Sequence, residues 1–512
     1  MSSLNFSKVV NWPHSISKLP SLVELQLSSW SLPNVDLRSL SFINSSTSLE
    51  VLELSDNFLN SSILYWMADI STSLVHIGFM GDRLQGLIPD VFSNMVSLTS
   101  LDLSYNPLEG GIPKSFRNLC RLESLNLWEN KLSDKLQDSI ENFGNPFWGP
   151  FPDNLTRFSS LKELYIDGTN MSGPLPKSFQ ELYQLRSLSL VLNQFSGPLP
   201  DFTGLSSSLP ESIGQLSSLE FLDISVNSLN GVLTEVHFLN LSRLQFLDVS
   251  YNPLSFNLSP YWNPPFQLHS LDMSSCNVGT DFPKWIQTQR KLTALDLSSN
   301  LLDLNLSMNQ IHGKFPNLSS KNCTFFTIDL TSNQFSGPLP PFPSNISNVF
   351  LSKNMFSGSL SSLWEFPDCW MQYQALHSLN LAKNNFSGKV PSSLGQLTYV
   401  VLLRLHDNNL SGELPPSSKN CTELRVVDLG ANKLSGNKPA WIGPSLTNSL
   451  DNTGVPPLKL IFCFNMILLL RSCWRKAQPF LQKLKFERQR GSLIYFNHDV
   501  ILNVINYDAC LS

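Results

Sequence analysis

The chain has 512 residues, of which 15% are charged, with 35 Lys and Arg set against 40 Asp and Glu for a formal net charge of −5. That balance excludes the strongly basic face that nucleic-acid binding needs. An ordinary globular chain of this length would divide into several domains, whereas a chain of repeating units, each touching only its neighbours, would not.

Residues 1–18 come first. They contain no apolar h-region of the kind a secretory leader carries, and they read as an incomplete N-terminal flank.

From residue 19 to 448 the pattern L-x-x-L-x-L-x-x-N-x-L-x-G-x-I/L-P returns about every 24 residues. Clear copies are Leu98 to Asn106, Leu185 to Asn193 followed by Phe195 to Pro200, and Leu424 to Asn432. A fixed period in this range predicts a leucine-rich-repeat solenoid of about seventeen coils. The last two leucines of L-x-x-L-x-L stand two apart, so both point to one face of a short strand. The Asn that follows is expected to turn inward and hydrogen-bond backbone groups left open by the turn. It occupies positions 57, 106, 130, 193, 227, 252, 300, 309, 333, 354, 384, 408 and 432. Cys276 replaces it once as a small buried substitute, and Trp30, Asp82 and Thr169 fit less well. Gly permits a tight bend, and the Pro after it blocks regular helix. The returning half of a coil, for example Lys177 to Leu182, predicts one 3₁₀ or α turn. Parallel strands joined by crossovers predict a right-handed coil.

Three steps break the beat: 39 residues from Asn130 to Thr169, 34 from Asn193 to Asn227, and 9 from Asn300 to Asn309. Each reads as a deletion within a coil, which places defects near 131–160, 198–215 and 298–310. Nine residues cannot carry a parallel crossover. Leu295–Leu297 and Leu304–Leu306 therefore cannot both be adjacent strands, and one must leave the sheet.

After about Ser449 the repeat ends. Residues 449–512 form a basic and apolar tail. Its apolar run Leu460–Leu470 has eleven residues, short of the roughly 20 needed to cross a bilayer. It reads as a remnant anchor, as non-native tail sequence, or as a buried cap.

Eight cysteines without C-x-x-C spacing are read as single buried thiols and give no metal site. No phosphate loop, kinase signature or G-x-S-x-G elbow occurs, so neither a catalytic residue nor a cofactor is expected. The open face of the predicted sheet carries Glu53, Asp102, Asp223, Asp248, Asp272, Asp296, Asp329 and Asp428 as a stripe, expected to be solvated. Trp128, Tyr165, Phe221, Phe246, Phe350, Arg404 and His406 interrupt the small polar norm of that face. Aromatic and Arg side chains are favoured interface anchors, and these seven are the candidate ligand-binding residues. Fourteen N-x-S/T sequons occur. Asn44, Asn60, Asn154, Asn170, Asn240, Asn257, Asn345, Asn385, Asn409 and Asn420 are candidate glycosylation sites.

Segments such as Leu84 to Pro89, Met171 to Pro176, Phe335 to Pro340 and Phe386 to Pro391 resemble the plant-specific form of the repeat. Together with Leu19 to Leu25, Leu209 to Leu219, Asp368 to Trp370 and Asn380 to Gly388, they are similar to plant receptor-like proteins of the xylanase-elicitor-receptor type, over roughly residues 15–445. The resemblance implies an α/β repeat solenoid, a right-handed superhelix with a parallel concave β-sheet and short 3₁₀ or α turns on the convex side. It also implies the extracellular ligand-recognition ectodomain of a kinase-less plasma-membrane receptor in defence or developmental signalling. The partners implied are an extracellular peptide, glycan or microbial protein and a partner receptor kinase or co-receptor, the latter near residues 376–440, with membrane attachment only through a full anchor. The signal peptide, cysteine-paired caps and transmembrane helix of that family are not found intact, so the chain reads as a shortened form. A secreted enzyme-inhibitor type of repeat protein and a non-functional gene fragment are the alternatives.

Overall fold

A computed structural model describes residues 8–9, 12–34, 48–132, 158–175, 179, 181–197, 214–298, 311–316, 327–340, 342, 346–360 and 376–436. They lie in one compact unit, residues 1–450. The tail, including Leu460–Leu470, lies outside the described residues.

Sixteen three-residue strands form one parallel sheet in strict chain order. The first eight are β1 Glu24–Gln26, β2 Val51–Glu53, β3 His76–Gly78, β4 Ser100–Asp102, β5 Ser124–Asn126, β6 Glu163–Tyr165, β7 Ser187–Ser189 and β8 Phe221–Asp223. They continue as β9 Phe246–Asp248, β10 Ser270–Asp272, β11 Ala294–Asp296, β12 Thr327–Asp329, β13 Asn348–Phe350, β14 Ser378–Asn380, β15 Leu402–Arg404 and β16 Val426–Asp428. The middle residue of each strand is buried and its neighbours are mostly half-exposed. That alternation follows from the two-residue period of a strand. In β4, Leu101 and the following Leu103 point inward while Asp102 faces outward. Each fully buried leucine contributes roughly 1.5–3 kcal/mol.

The second half of the repeat makes further short parallel strands, among them Leu108–Gly110, Gln334–Gly337 and Asn409–Gly412. Gly110 and Gly412 have φ of 73° and 76°, which explains the Gly of L-x-G. Inside the coils Phe335, Phe356 and Phe386 stack in parallel, with ring centroids 5.8 and 6.4 Å apart. The returning halves are short 3₁₀ turns, such as Asp90–Asn94 and Ser392–Gln396. Lys177 to Leu182 lies partly outside the described residues. One coil instead carries helix α2, Ser62–Ile70, with Ile63, Leu64, Met67 and Ile70 buried. Trp66 of α2 meets Trp12, edge to face at 5.3 Å, from the short helix α1, Trp12–Ser17.

The inward asparagines act as the sequence predicts. Asn106 Nδ2 donates to the carbonyls of Phe79, Leu103 and Ser104 at 2.8–3.0 Å, while its Oδ1 accepts from Leu84 N–H. Asn130, Asn193, Asn252, Asn354, Asn384 and Asn408 repeat the arrangement of one amide nitrogen among three acceptor carbonyls. Asn300 and Asn309 lie outside the described residues. Cys276 substitutes through an Sγ–H donated to Val249 C=O at 3.3 Å. Thr169 does so through its hydroxyl, on Asn193 Oδ1 at 2.8 Å.

β5 pairs directly with β6, β7 with β8, and β11 with β12. The main sheet therefore continues across all three irregular steps, and the expected defects near 131–160, 198–215 and 298–310 fall mostly outside the described residues. In the third case the strand after β11 in its own coil is His312–Gly313, which pairs with Gln334–Phe335 and bridges to Asp281. The sheet passes directly from Asp296 to Asp329, as the nine-residue spacing required of one of the two leucine segments, and Leu304–Leu306 lies outside the described residues. Cysteine burial also differs from expectation, since Cys276 and Cys421 are buried but Cys120 is exposed.

Candidate functional site

The outward residues of β1–β16 form the candidate binding face. In-register pairing dictates which of them meet. Asp223, Asp248, Asp272, Asp296 and Asp329 follow one another on β8–β12 as direct register partners, at the roughly 4.8 Å spacing of neighbouring strands. The expectation of solvated carboxylates needs correction. Asp296 and Asp329 are buried and the other three half-buried, because carboxylates this close shield one another from water. Each Oδ1 accepts the backbone N–H two residues on, from Ser225, Ser250, Ser274, Ser298 and Thr331 at 2.8–3.1 Å. Burial pushes the Asp223 carboxyl up to about 7, against the lowering effect of its Ser225 hydrogen bonds. Burial and the neighbouring carboxylates push Asp248 and Asp272 well above the usual range.

Glu53 at the other end of the sheet behaves in the opposite way. Burial would raise its carboxyl, but hydrogen bonds from His76, Ser55 and Ser28 hold it at about 2. His76 Nε2 stands 3.2 Å from Oε2 and Ser28 Oγ 3.0 Å from Oε1. The carboxylate lies where a side chain on Gly78 would project, so that strand position has no room for one.

The seven sequence-predicted residues all lie on this sheet or just after its strands, in separate groups. Phe221 and Phe246 open β8 and β9, and their rings stack at 4.3 Å and 8° beside the aspartates. Tyr165 ends β6, in register with Asn126 and Ser189. Trp128 follows β5, donates its backbone N–H to Asn126 Oδ1 at 3.2 Å, and meets the Tyr105 ring at 5.1 Å. Tyr105, which the sequence did not single out, thus joins this group, and no motif marks it. Phe350 ends β13 alone, between Asp329 and Asn380. Arg404 ends β15 opposite Asp428, and His406 Nδ1 lies 2.8 Å from Asp428 Oδ2. Burial would raise Asp428, but the contacts with His406 and Arg404 hold it below the usual carboxylate range.

Of the sequon asparagines, Asn170, Asn240, Asn257, Asn385, Asn409 and Asn420 are exposed and Asn60 is half-buried. Asn44, Asn154 and Asn345 lie outside the described residues. Among the described residues, no group of His, Cys, Asp and Glu could hold a metal ion, and no helix is long and apolar enough to cross a membrane.

Leucine-rich-repeat family models match residues 72–132, 160–182 and 375–397. The chain is 40% identical over 461 residues to the receptor-like protein EIX2 of Solanum lycopersicum, which covers 77% of this chain and 45% of that protein. It is 40% identical over 414 residues to EIX1 of the same species, covering 68% and 40%. The chain thus spans less than half the length of these relatives. Among solved structures it superposes on a TDR receptor with a TM-score of 0.61 at 22% identity, covering 86% of this chain and 70% of that one. PEPR1 with AtPEP1 gives 0.54 at 25%, covering 84% and 68%. The Arabidopsis receptor kinase HAESA, with the peptide hormone IDA and the co-receptor SERK1, gives 0.51 at 25%, covering 82% and 76%.

Proposed function

Since the chain belongs to the leucine-rich-repeat proteins and is similar over most of its length to plant receptor-like proteins, we propose that it is the ligand-recognition ectodomain of a kinase-less receptor. The receptor stands at the plasma membrane, facing outward, and signals in defence or development through a partner receptor kinase. It acts by binding and performs no catalysis. The observation that carries this reading is the outward face of β1–β16, where paired aromatic rings stand beside aspartates in register on a scaffold fixed by inward asparagines. Rigid strands hold such anchors in place without ordering cost on binding. The ligand class is an extracellular peptide, glycan or microbial protein. Trp128, Tyr165, Phe221, Phe246, Phe350, Arg404 and His406 are its proposed contacts, and residues 376–440 face the co-receptor. The exposed sequon asparagines carry glycans.

The test is capture from plant extracellular fluid by the glycosylated chain, with the bound species identified by mass spectrometry and its affinity measured. Alanine at Tyr165, Arg404 and His406 together should weaken binding at least tenfold. Undiminished binding by that variant removes the site, and no extracellular binder for the intact chain removes the receptor reading.

A further inference from the structure

One position in the inward asparagine row carries a carboxyl group. Asp82 follows β3 at the place Asn106 occupies after β4, and only 5% of it is exposed. Its Oδ1 does half of an asparagine's work, accepting the N–H of Asn57 at 2.9 Å and of Leu59 at 3.0 Å. Its Oδ2 is buried and has no hydrogen-bond partner. In the next coil the amide nitrogen of Asn106 fills the same place and donates to three carbonyls. By repeat position the equivalent carbonyls at Asp82 are those of Leu54, Phe79 and Met80, each of which accepts one other hydrogen bond and keeps a second lone pair. They offer lone pairs, and a carboxylate oxygen has no proton to give them.

We propose that Asp82 is a proton-dependent latch between the coils of β2 and β3: the neutral carboxyl donates its O–H into the carbonyl cage, and the carboxylate is driven to open the joint. Burial pushes this carboxyl up to about 7, with the Leu59 and Asn57 N–H groups opposing and Asp56 adding repulsion. The other groups facing it do not neutralise it. Arg83 is engaged over the Phe58 ring, 4.7 Å from its centroid. In the following coil burial raises the Tyr105 phenol above its ordinary range, so it remains neutral. In the opened joint the carboxyl returns to its ordinary pKa of about 4. The closed joint therefore holds the proton more tightly, and opening grows with pH between about 4 and 7. The joint is tightest in acid and loosens towards neutrality.

Hydrogen exchange with mass-spectrometric readout tests this on the full chain between pH 5 and 8, with rates corrected for intrinsic chemistry. Segments holding the Asn57 and Leu59 amides should open up to about tenfold more per pH unit below 7 and level off above it. In Asp82→Asn the pH slope should vanish there, while segments around Asn384 stay unchanged. Asn fits the same cage in the other coils, so this variant keeps the fold. Asp56→Asn, which removes the repulsive neighbour, should move the levelling point to lower pH. Equal slopes in the wild type and Asp82→Asn, or an unmoved levelling point in Asp56→Asn, overturn the latch.

Discussion

Phe221 and Phe246 lie face to face, 4.3 Å apart and 8° from parallel, because β8 and β9 pair with these two residues in register. Strand spacing sets the ring separation, so the stack is a property of the sheet itself. Such pairs are worth about 0.5–1.5 kcal/mol beyond the area they bury. A double-mutant cycle with Phe221→Ala and Phe246→Ala, read from urea unfolding, should return a coupling of about 1 kcal/mol. Additive single losses would mean that the rings only happen to lie together.

The aspartates beside that stack give a pH dependence with a definite sign. Asp223 is raised to about 7 in the folded chain, and burial and the neighbouring carboxylates raise Asp248 and Asp272 as well, against about 3.9 unfolded. The folded state then binds more protons across that window, so stability falls as pH rises from about 4 through 7. Asp248→Asn removes the central charge, and should raise the urea midpoint at pH 8 while changing it little at pH 5. A midpoint in the wild type that rises from pH 5 to pH 8 would contradict the stacked arrangement.

Glu53 should act in the other direction in stronger acid. Its carboxylate is held at about 2 by His76, Ser55 and Ser28, against about 4.3 unfolded. The stability it supplies is present above about pH 4.3 and is lost as pH falls towards 2. Glu53→Gln should therefore lower the thermal midpoint at pH 6 and lower it much less at pH 2.5. An equal loss at both pH values would assign Glu53 a packing role only.

The leucine period, the inward asparagines and the order of the strands were legible in the sequence because each is a local spacing that recurs. Three features were not. A 39-residue step between Asn130 and Thr169 does not say which strands meet across it, and only the pairing of Asn126 with Tyr165 shows that β5 adjoins β6. The burial of Asp296 and Asp329 arises between coils, so a single L-D-L strand gives no sign of it. The grouping of the candidate contacts depends on register. It joins Phe221 to Phe246 and Arg404 to Asp428, and it leaves Phe350 alone.

Loss of one inward amide should be costly far beyond its size. Asn252 Nδ2 donates to Ile224, Val249 and Ser250 carbonyls, and its Oδ1 accepts from Leu229 N–H, all buried within two adjoining coils. Asn252→Ala strands these groups without water, a loss of roughly 2–4 kcal/mol by urea unfolding. Asn252→Asp should restore the Leu229 bond but not the three contacts that Nδ2 donates, and so recover only part of it. A loss below 1 kcal/mol for the alanine variant would show that the row of asparagines does not hold the coils together.

Among the described residues the one before an inward side chain is left-handed: Tyr105, Leu192, Val226 and Lys383 have φ of 53–56°, and glycine serves at Gly81 and Gly168. This conformation costs a residue with a Cβ roughly 1–2 kcal/mol, and a β-branched residue suffers most. Val226→Gly keeps the backbone bond from residue 226 N–H to Ser250 C=O and relieves that strain. It gives back some of the gain through glycine's greater freedom when unfolded. The net change should be a stabilisation of about 0.5 kcal/mol. The reverse change, Gly168→Val, imposes the strain and sets a Cβ 2.8 Å from Glu129 Oε1, so it should destabilise by about 1–2 kcal/mol. Urea midpoints of the two variants should therefore move in opposite directions from the parent. Movement of both in the same direction would mean that side-chain packing, and not backbone strain, governs these positions.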